Sequence, residues 1–154
     1  MKLKLNYLIA QDKPLTKEEW EAIKYFKPEE FACKCEKHKF LPVYDMSSLL
    51  LFQLEQLREL IKTPIIITSG WRCEEHNKEI GGQPNSSHLT KKAVDITIPN
   101  PDYDRLKNLY LACERIGFRG LGIYPHKKFI HVDMLDRIQR WVQNKEGKYI
   151  YLFI

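Results

Sequence analysis

His88, Asp95 and His131 have the types and spacing to hold a metal ion. They fall in two short segments, Ser86-Ser87-His88-Leu89-Thr90-Lys91-Lys92-Ala93-Val94-Asp95 and Phe129-Ile130-His131-Val132-Asp133. Two imidazoles and one carboxylate suit zinc, and three protein ligands leave a fourth position for water. A zinc held this way activates water for hydrolysis, whereas a structural zinc is closed by four protein ligands. Taken alone, a His-x-Asp on a strand also reads as a simple hydrogen-bonded pair; the two segments together carry the metal reading.

The elements around these residues must bring them to one place. Side chains alternate between the two faces of a strand. In Ala93-Val94-Asp95-Ile96-Thr97-Ile98 the apolar Val94, Ile96 and Ile98 share one face and Asp95 lies on the other. In the second segment Ile130, Val132 and Met134 are apolar, while Phe129, His131 and Asp133 point the opposite way. If both strands join one sheet over a common core, Asp95, His131 and Asp133 emerge on the same side. His88 precedes the first strand in a loop rich in Ser, Asn and Pro, and can fold back over that side.

The chain has 154 residues, 44% hydrophobic and 29% charged, which suits one globular domain. The expected organisation is a lead-in over residues 1–25, packed on a single domain over 26–154. No stretch approaches membrane-spanning length. Lys4, Asn6, Gln11 and Asp12 break the apolar run near the N-terminus, so no signal peptide is expected. Synthesis and folding in the cytoplasm follow, with release by another agent if the substrate lies outside. The net charge is +5, and Lys91-Lys92 and Lys127-Lys128 flank the two metal segments. A basic rim favours a carboxylate-bearing or otherwise anionic substrate, although both pairs also read as solvated loops. No aromatic-basic motif points to nucleic acid, and a monomer is expected.

Cys33-x-Cys35-x-x-His38 reads as half of a second metal site, and Cys73-x-x-His76 can supply the rest. The competing reading is reduced, buried cysteines in a protein made in the cytoplasm. Cys113 lies in an apolar helical stretch and reads as core.

Thr16 and Glu19 form a capping box for a short helix over 17–24. A loop over 25–42 is expected to bury Phe26, Phe31 and Phe40. Leu50, Leu54, Leu57 and Ile61 recur at helical spacing over 47–61, with Ser47 or Ser48 as cap. A buried strand over 64–68 and a short helix over 74–80, stopped by Gly81-Gly82, come next. Residues 93–98 form a strand and 103–116 a helix ended by Gly117. A hairpin pairs 121–124 with 129–134, and a last strand covers 149–154. Helices and strands do not alternate strictly, which predicts an α+β fold: a central antiparallel sheet with flanking helices.

The series Ser69-Gly70-Trp71-Arg72, Asn77, Gly81-Gly82, Ser86-x-His88, Ala93-x-Asp95, Gly120-x-Gly122-x-Tyr124 and His131-x-Asp133 resembles the zinc D-Ala-D-Ala carboxypeptidase family. This family stands in a wider group with lysostaphin-type peptidases and the hedgehog signalling domain. The likeness spans about residues 26–141 and is strongest to small peptidoglycan peptidases of phage or prophage type. It implies a hedgehog-like or D-Ala-D-Ala peptidase-like fold, one zinc on His88, Asp95 and His131, and hydrolysis of D-amino-acid-containing peptides of bacterial peptidoglycan. It implies substrate contact or oxyanion stabilisation by Arg72, whose guanidinium is a permanent donor fork. A surface salt bridge is the plainer role for Arg72. The likeness also places Ser86 and Tyr124 at the substrate side, and the bland role for Ser86 is a turn hydrogen bond.

Two positions depart from the family pattern. Where His-x-x-Gly-x-Ala-x-Asp has glycine, this chain has Lys91. A glycine there suggests backbone geometry that lysine resists, so a remodelled loop or a weaker site is expected. The acid that several relatives keep three residues before the last histidine is Lys128 here, and the histidine that others keep two before is Phe129. Asp133 and His126 remain as candidates for the general base. Asp133 has orienting a histidine ligand as its alternative role, and His126 has that of an exposed turn residue. The resulting expectation is a zinc metallopeptidase. A zinc-containing binding module of the same fold is the runner-up, and a zinc that only staples the fold is a third possibility.

Overall fold

Among the described residues, six strands join in one mixed sheet: β1 (Ile66–Ser69), β2 (Ala93–Thr97), β3 (Gly120–Tyr124), β4 (Phe129–Asp133), β5 (Gln139–Gln143) and β6 (Tyr149–Leu152). Their order is β1-β2-β4-β3-β5-β6. The computed structural model describes residues 11–153. Expectations for residues 1–10, including most of the broken apolar run, and for residue 154 lie outside the described residues. Among the described residues, three α-helices accompany the sheet: α1 (Ser48–Ile61), α2 (Glu74–Glu79) and α3 (Tyr103–Ile116).

Local chemistry sets the helix ends. Ser47 Oγ accepts the Leu50 N–H at 3.1 Å, capping α1, and Asp102 Oδ1 accepts the Arg105 N–H at 2.8 Å, capping α3. Gly117 takes φ +94° and ends α3, a left-handed conformation that costs glycine nothing. Leu50, Leu54 and Leu57 of α1 and Leu106, Leu109 and Cys113 of α3 are buried against one face of the sheet. That face presents Val94, Ile96, Leu121, Ile130 and Val132. The core therefore lies between the two long helices and the sheet, and the opposite face is left for the site.

The register assembles that opposite face. Ser69 pairs with Asp95, Asp95 with His131, His131 with Gly122, Gly122 with Trp141 and Trp141 with Tyr151. Directly opposed residues share a face, so one cross-strand row carries β1 through β6 past both candidate ligands. Gly122 gives the Trp141 indole room to reach His131. Their rings stand 5.2 Å apart, and a Cβ on Gly122 would overlap the indole.

The α+β expectation holds, with five local differences. The β3–β5 pair is parallel, because β4 ends opposite Gly120 and the short return over 134–138 starts β5 beside Gly120 again. β5 itself was hidden in the sequence by a buried charge. Arg140 sits on the core side, its Nε 2.6 Å from Glu114 and its other nitrogens on the carbonyls of Phe118 and Arg119. β1 lies at a sheet edge, so Ile66 is exposed rather than buried. Phe40 is also exposed, on a loop, with Lys39 Nζ over its ring. The Thr16–Glu19 capping box forms both of its bonds, but around a single 3-10 turn, Glu19–Ala22. Trp20 from that turn and Leu15 join the core. Among the described residues, no helix is long and apolar enough to cross a membrane.

Gly122→Ala must displace Trp141 from beside His131. Overpacking of this kind costs about 1–3 kcal/mol, which predicts a lower thermal midpoint. An unchanged midpoint would mean that the indole does not depend on this gap.

Candidate metal centre

β2 supplies Asp95 and β4 supplies His131 directly opposite, so the sheet register alone fixes their separation: His131 Nδ1 lies 3.1 Å from Asp95 Oδ1. His88 comes from the 3-10 turn Ser87–Thr90 that leads into β2, and its Nε2 lies 3.3 Å from the same oxygen. Ser86 Oγ accepts the His88 backbone N–H at 3.4 Å and caps that turn. One donor atom from each of the three residues lies within 4.8 Å of the others.

The outer nitrogen of each imidazole is held by an acceptor. His88 Nδ1 is 2.9 Å from the Gly70 carbonyl, and His131 Nε2 is 2.8 Å from Asp133 Oδ2. With a metal on the inner nitrogens, these outward N–H bonds would fix the tautomer that a metal ligand requires. The three inner atoms, two nitrogens and a carboxylate oxygen, thus fit a zinc ion by chemistry and by convergence.

Charge reinforces the arrangement. Burial opposes ionisation of Asp95, but hydrogen bonds from His131 and His88 outweigh it and hold its carboxyl well below the usual range. Burial likewise disfavours charge on His131, yet the Asp133 and Asp95 carboxylates push its pKa up to about 9. Asp133 is fully buried, and burial would raise it. The His131 N–H and the Arg137 fork, at 2.7 and 2.9 Å, hold it down instead.

The donors open into a cleft of about 670 Å³. Arg72, Lys127 and Arg137 line it, and Asp95 is its one acidic lining residue among those described. The Arg72 guanidinium is aimed by neutral partners, Asn77 Oδ1 at 3.0 Å and Ser69 Oγ at 3.5 Å, so its charge is not neutralised locally. Asn77 is buried and also donates to the Gln83 carbonyl at 2.8 Å; Gly82 packs so close to it that any side chain there would collide. Asn77 stood in the motif series without a role and Gly81-Gly82 only as a helix stop; the geometry makes Asn77 and Gly82 the cradle of Arg72. Arg137 and Trp141 were not singled out, because what they touch is set by β5 and its preceding turn. Tyr124 lines the cleft, its hydroxyl accepting from Trp141 Nε1 at 3.0 Å, and Ser86 lines it as well.

The two base candidates lie in different surroundings. His126 sits in the exposed turn of the β3–β4 hairpin and does not line the cleft. Asp133 lies behind His131, saturated by His131, Arg137 and the Leu135 N–H. Lys91, at the position where the family pattern has glycine, takes a left-handed conformation, φ +62°. Its amine reaches Asp45 at 2.6 Å, and Lys92 pairs with Asp12 at 3.6 Å, so of the two lysine pairs only Lys127 borders the cleft.

A family model described as Peptidase M15 matches residues 24–133, which takes in all three donors. A search of curated proteins gives no match.

Two predictions follow from the donor geometry. Below pH 9 His131 carries a proton that a metal must displace, so zinc uptake at pH 7 releases about one proton and affinity climbs with pH until about 9. Calorimetry in buffers of different ionisation enthalpy reads this directly; a pH-independent affinity would refute it. Asp133→Asn weakens zinc affinity by about 10–100-fold, measured by competition with a chromophoric chelator, and unchanged affinity would remove Asp133 from the support of the metal.

Proposed function

The chain belongs to the peptidase M15 family, the zinc-dependent D-Ala-D-Ala carboxypeptidases, and from that premise we propose that it hydrolyses peptide bonds in bacterial peptidoglycan. The bond lies in a D-amino-acid-containing stem peptide or cross-link. The observation that carries the proposal is the convergence of His88 Nε2, Asp95 and His131 Nδ1 at the floor of a cleft whose remaining charges are cationic.

Each side chain has a definable task. His88, Asp95 and His131 would hold zinc, which when bound lowers the pKa of water and polarises the scissile carbonyl. Asp133 orients His131 through Nε2, and Arg137 keeps Asp133 ionised. Arg72, held by Asn77 and Ser69, presents its free donors to the oxyanion or to a substrate carboxylate. Lys127 and Arg137 add attraction for the carboxylates of wall peptides. Tyr124, Tyr149 and Tyr151 line the far side of the cleft as an aromatic wall for the rest of the peptide. The site of action is the cell wall, reached after release from the cell.

One observation favours a second reading, a zinc-containing binding module of the same fold with weak catalysis. Among the described residues, no carboxylate or imidazole other than the three donors lines the cleft. Digestion of purified peptidoglycan, followed by mass spectrometry of the muropeptides, separates the two. The enzyme releases new amino termini in a chelator-sensitive reaction, and the mass change identifies the bond. Wall binding with intact peptides at full zinc occupancy would overturn the enzymatic reading. Arg72→Ala is expected to lower kcat by about 10²–10³-fold while zinc content is unchanged. An undiminished kcat would deny Arg72 a role in the transition state.

A further inference from the structure

We propose that Cys33, Cys35, Cys73 and His38 form a second zinc site, closed by four protein ligands and separate from the cleft. The four side chains come from segments about forty residues apart in the chain, and one ligand atom of each lies within 4.8 Å of the others. Cys73 Sγ stands 3.7 Å from Cys33 Sγ and 3.8 Å from Cys35 Sγ, and His38 Nδ1 is 3.0 Å from Cys35 Sγ. A tetrahedron with zinc–sulfur bonds of about 2.3 Å has edges of about 3.8 Å. Disulfides need about 2.05 Å, and all the cysteines are free thiols.

The backbone is arranged for thiolates. The Cys73 N–H points at Cys33 Sγ and the His76 N–H at Cys73 Sγ, both at 3.4 Å. The His38 N–H bonds the Cys35 carbonyl at 3.2 Å, closing a turn that brings the ring back onto the sulfur. Three soft sulfurs and one imidazole make a donor set for structural zinc, with no position for water. Of the five residues the sequence offered, His76 turns instead toward Glu79 at 3.8 Å, and Cys33, Cys35, His38 and Cys73 make the set.

The site clamps the segment that supports the cleft. Cys73 directly follows Arg72. Phe31, just before Cys33, accepts the Trp71 N–H at 3.0 Å, and Gly70 packs on the Phe31 backbone so tightly that a Cβ would approach it to 2.6 Å.

Metal analysis of the purified protein tests this independently of any peptidase activity. We expect about two zinc per chain, falling to about one in His88→Ala/His131→Ala and to about one in Cys35→Ser/Cys73→Ser. Because the cysteine variant can fail to fold, the deciding measurement uses cobalt in His88→Ala/His131→Ala. Thiolate-to-cobalt charge-transfer absorption in the near ultraviolet establishes the cluster as a metal site, since a histidine–carboxylate site has no such band. Its absence, with the thiols open to a thiol reagent, overturns the proposal. So does a Cys33–Cys73 disulfide found by peptide mass mapping in place of metal.

Discussion

The pairing of Asp95 with His131 across β2 and β4 is the constraint on which the rest of the site depends. Strand side chains alternate faces, so a slip of one residue in either strand would send one ligand into the core and bring an apolar residue to the cleft. The apolar residues between the ligands prevent this. Val94, Ile96, Ile130 and Val132 are fully buried on the opposite face, and the register that buries them is the register that opposes Asp95 to His131. The candidate metal centre is thus specified by hydrophobic burial on the other side of the sheet, at a few kcal/mol per misplaced side chain. Gly122 belongs to the same row and serves it by lacking a side chain.

The second constraint is electrostatic. His131 is buried between two carboxylates, and Asp133 is buried against a guanidinium. Groups this far from water cost several kcal/mol each unless paired. The pairing is sequential: Arg137 holds Asp133, Asp133 holds His131, and His131 meets Asp95. The chain of alternating charge ends at the point where a divalent cation would sit. A proton on His131 and a metal beside it are alternative solutions to the same excess of negative charge, so the position that raises the pKa of His131 also favours a cation.

Much of this was legible in the sequence because it rests on local rules. Period-two alternation marked β2 and β4, helical spacing marked α1 and α3, and Ser47 and Gly117 marked the start of α1 and the end of α3. What escaped depends on contacts remote in sequence. β5 carries a buried arginine on its core face, and that charge is satisfied only by Glu114 and two carbonyls that no linear pattern reveals. The role of Asp133 turns on Arg137, whose position follows from the turn into β5. Asn77 stood in the family series with no stated role, and only the fold shows it holding Arg72. Phe40 was misread because an aromatic ring in a short loop is covered only if a neighbouring element arrives above it.

Lys91 shows how the two candidate metal sites are joined. A left-handed lysine costs about 1–2 kcal/mol relative to the ordinary helical conformation, so something must offset it. The Lys91 carbonyl accepts the Ser47 N–H that starts α1, its amine reaches Asp45, and that amine lies 5.0 Å over the Trp71 ring. Trp71 in turn meets the His38 ring at 5.2 Å, edge to face. The indole is therefore packed between the loop that carries His88 and the turn that carries His38. His88 is fixed from below by the Gly70 carbonyl, one residue before that indole. Movement of the cysteine-bearing turn would be felt first at Trp71, then at the Gly70 carbonyl that sets the His88 tautomer. A lysine in place of glycine is tolerable here because its side chain takes part in that packing.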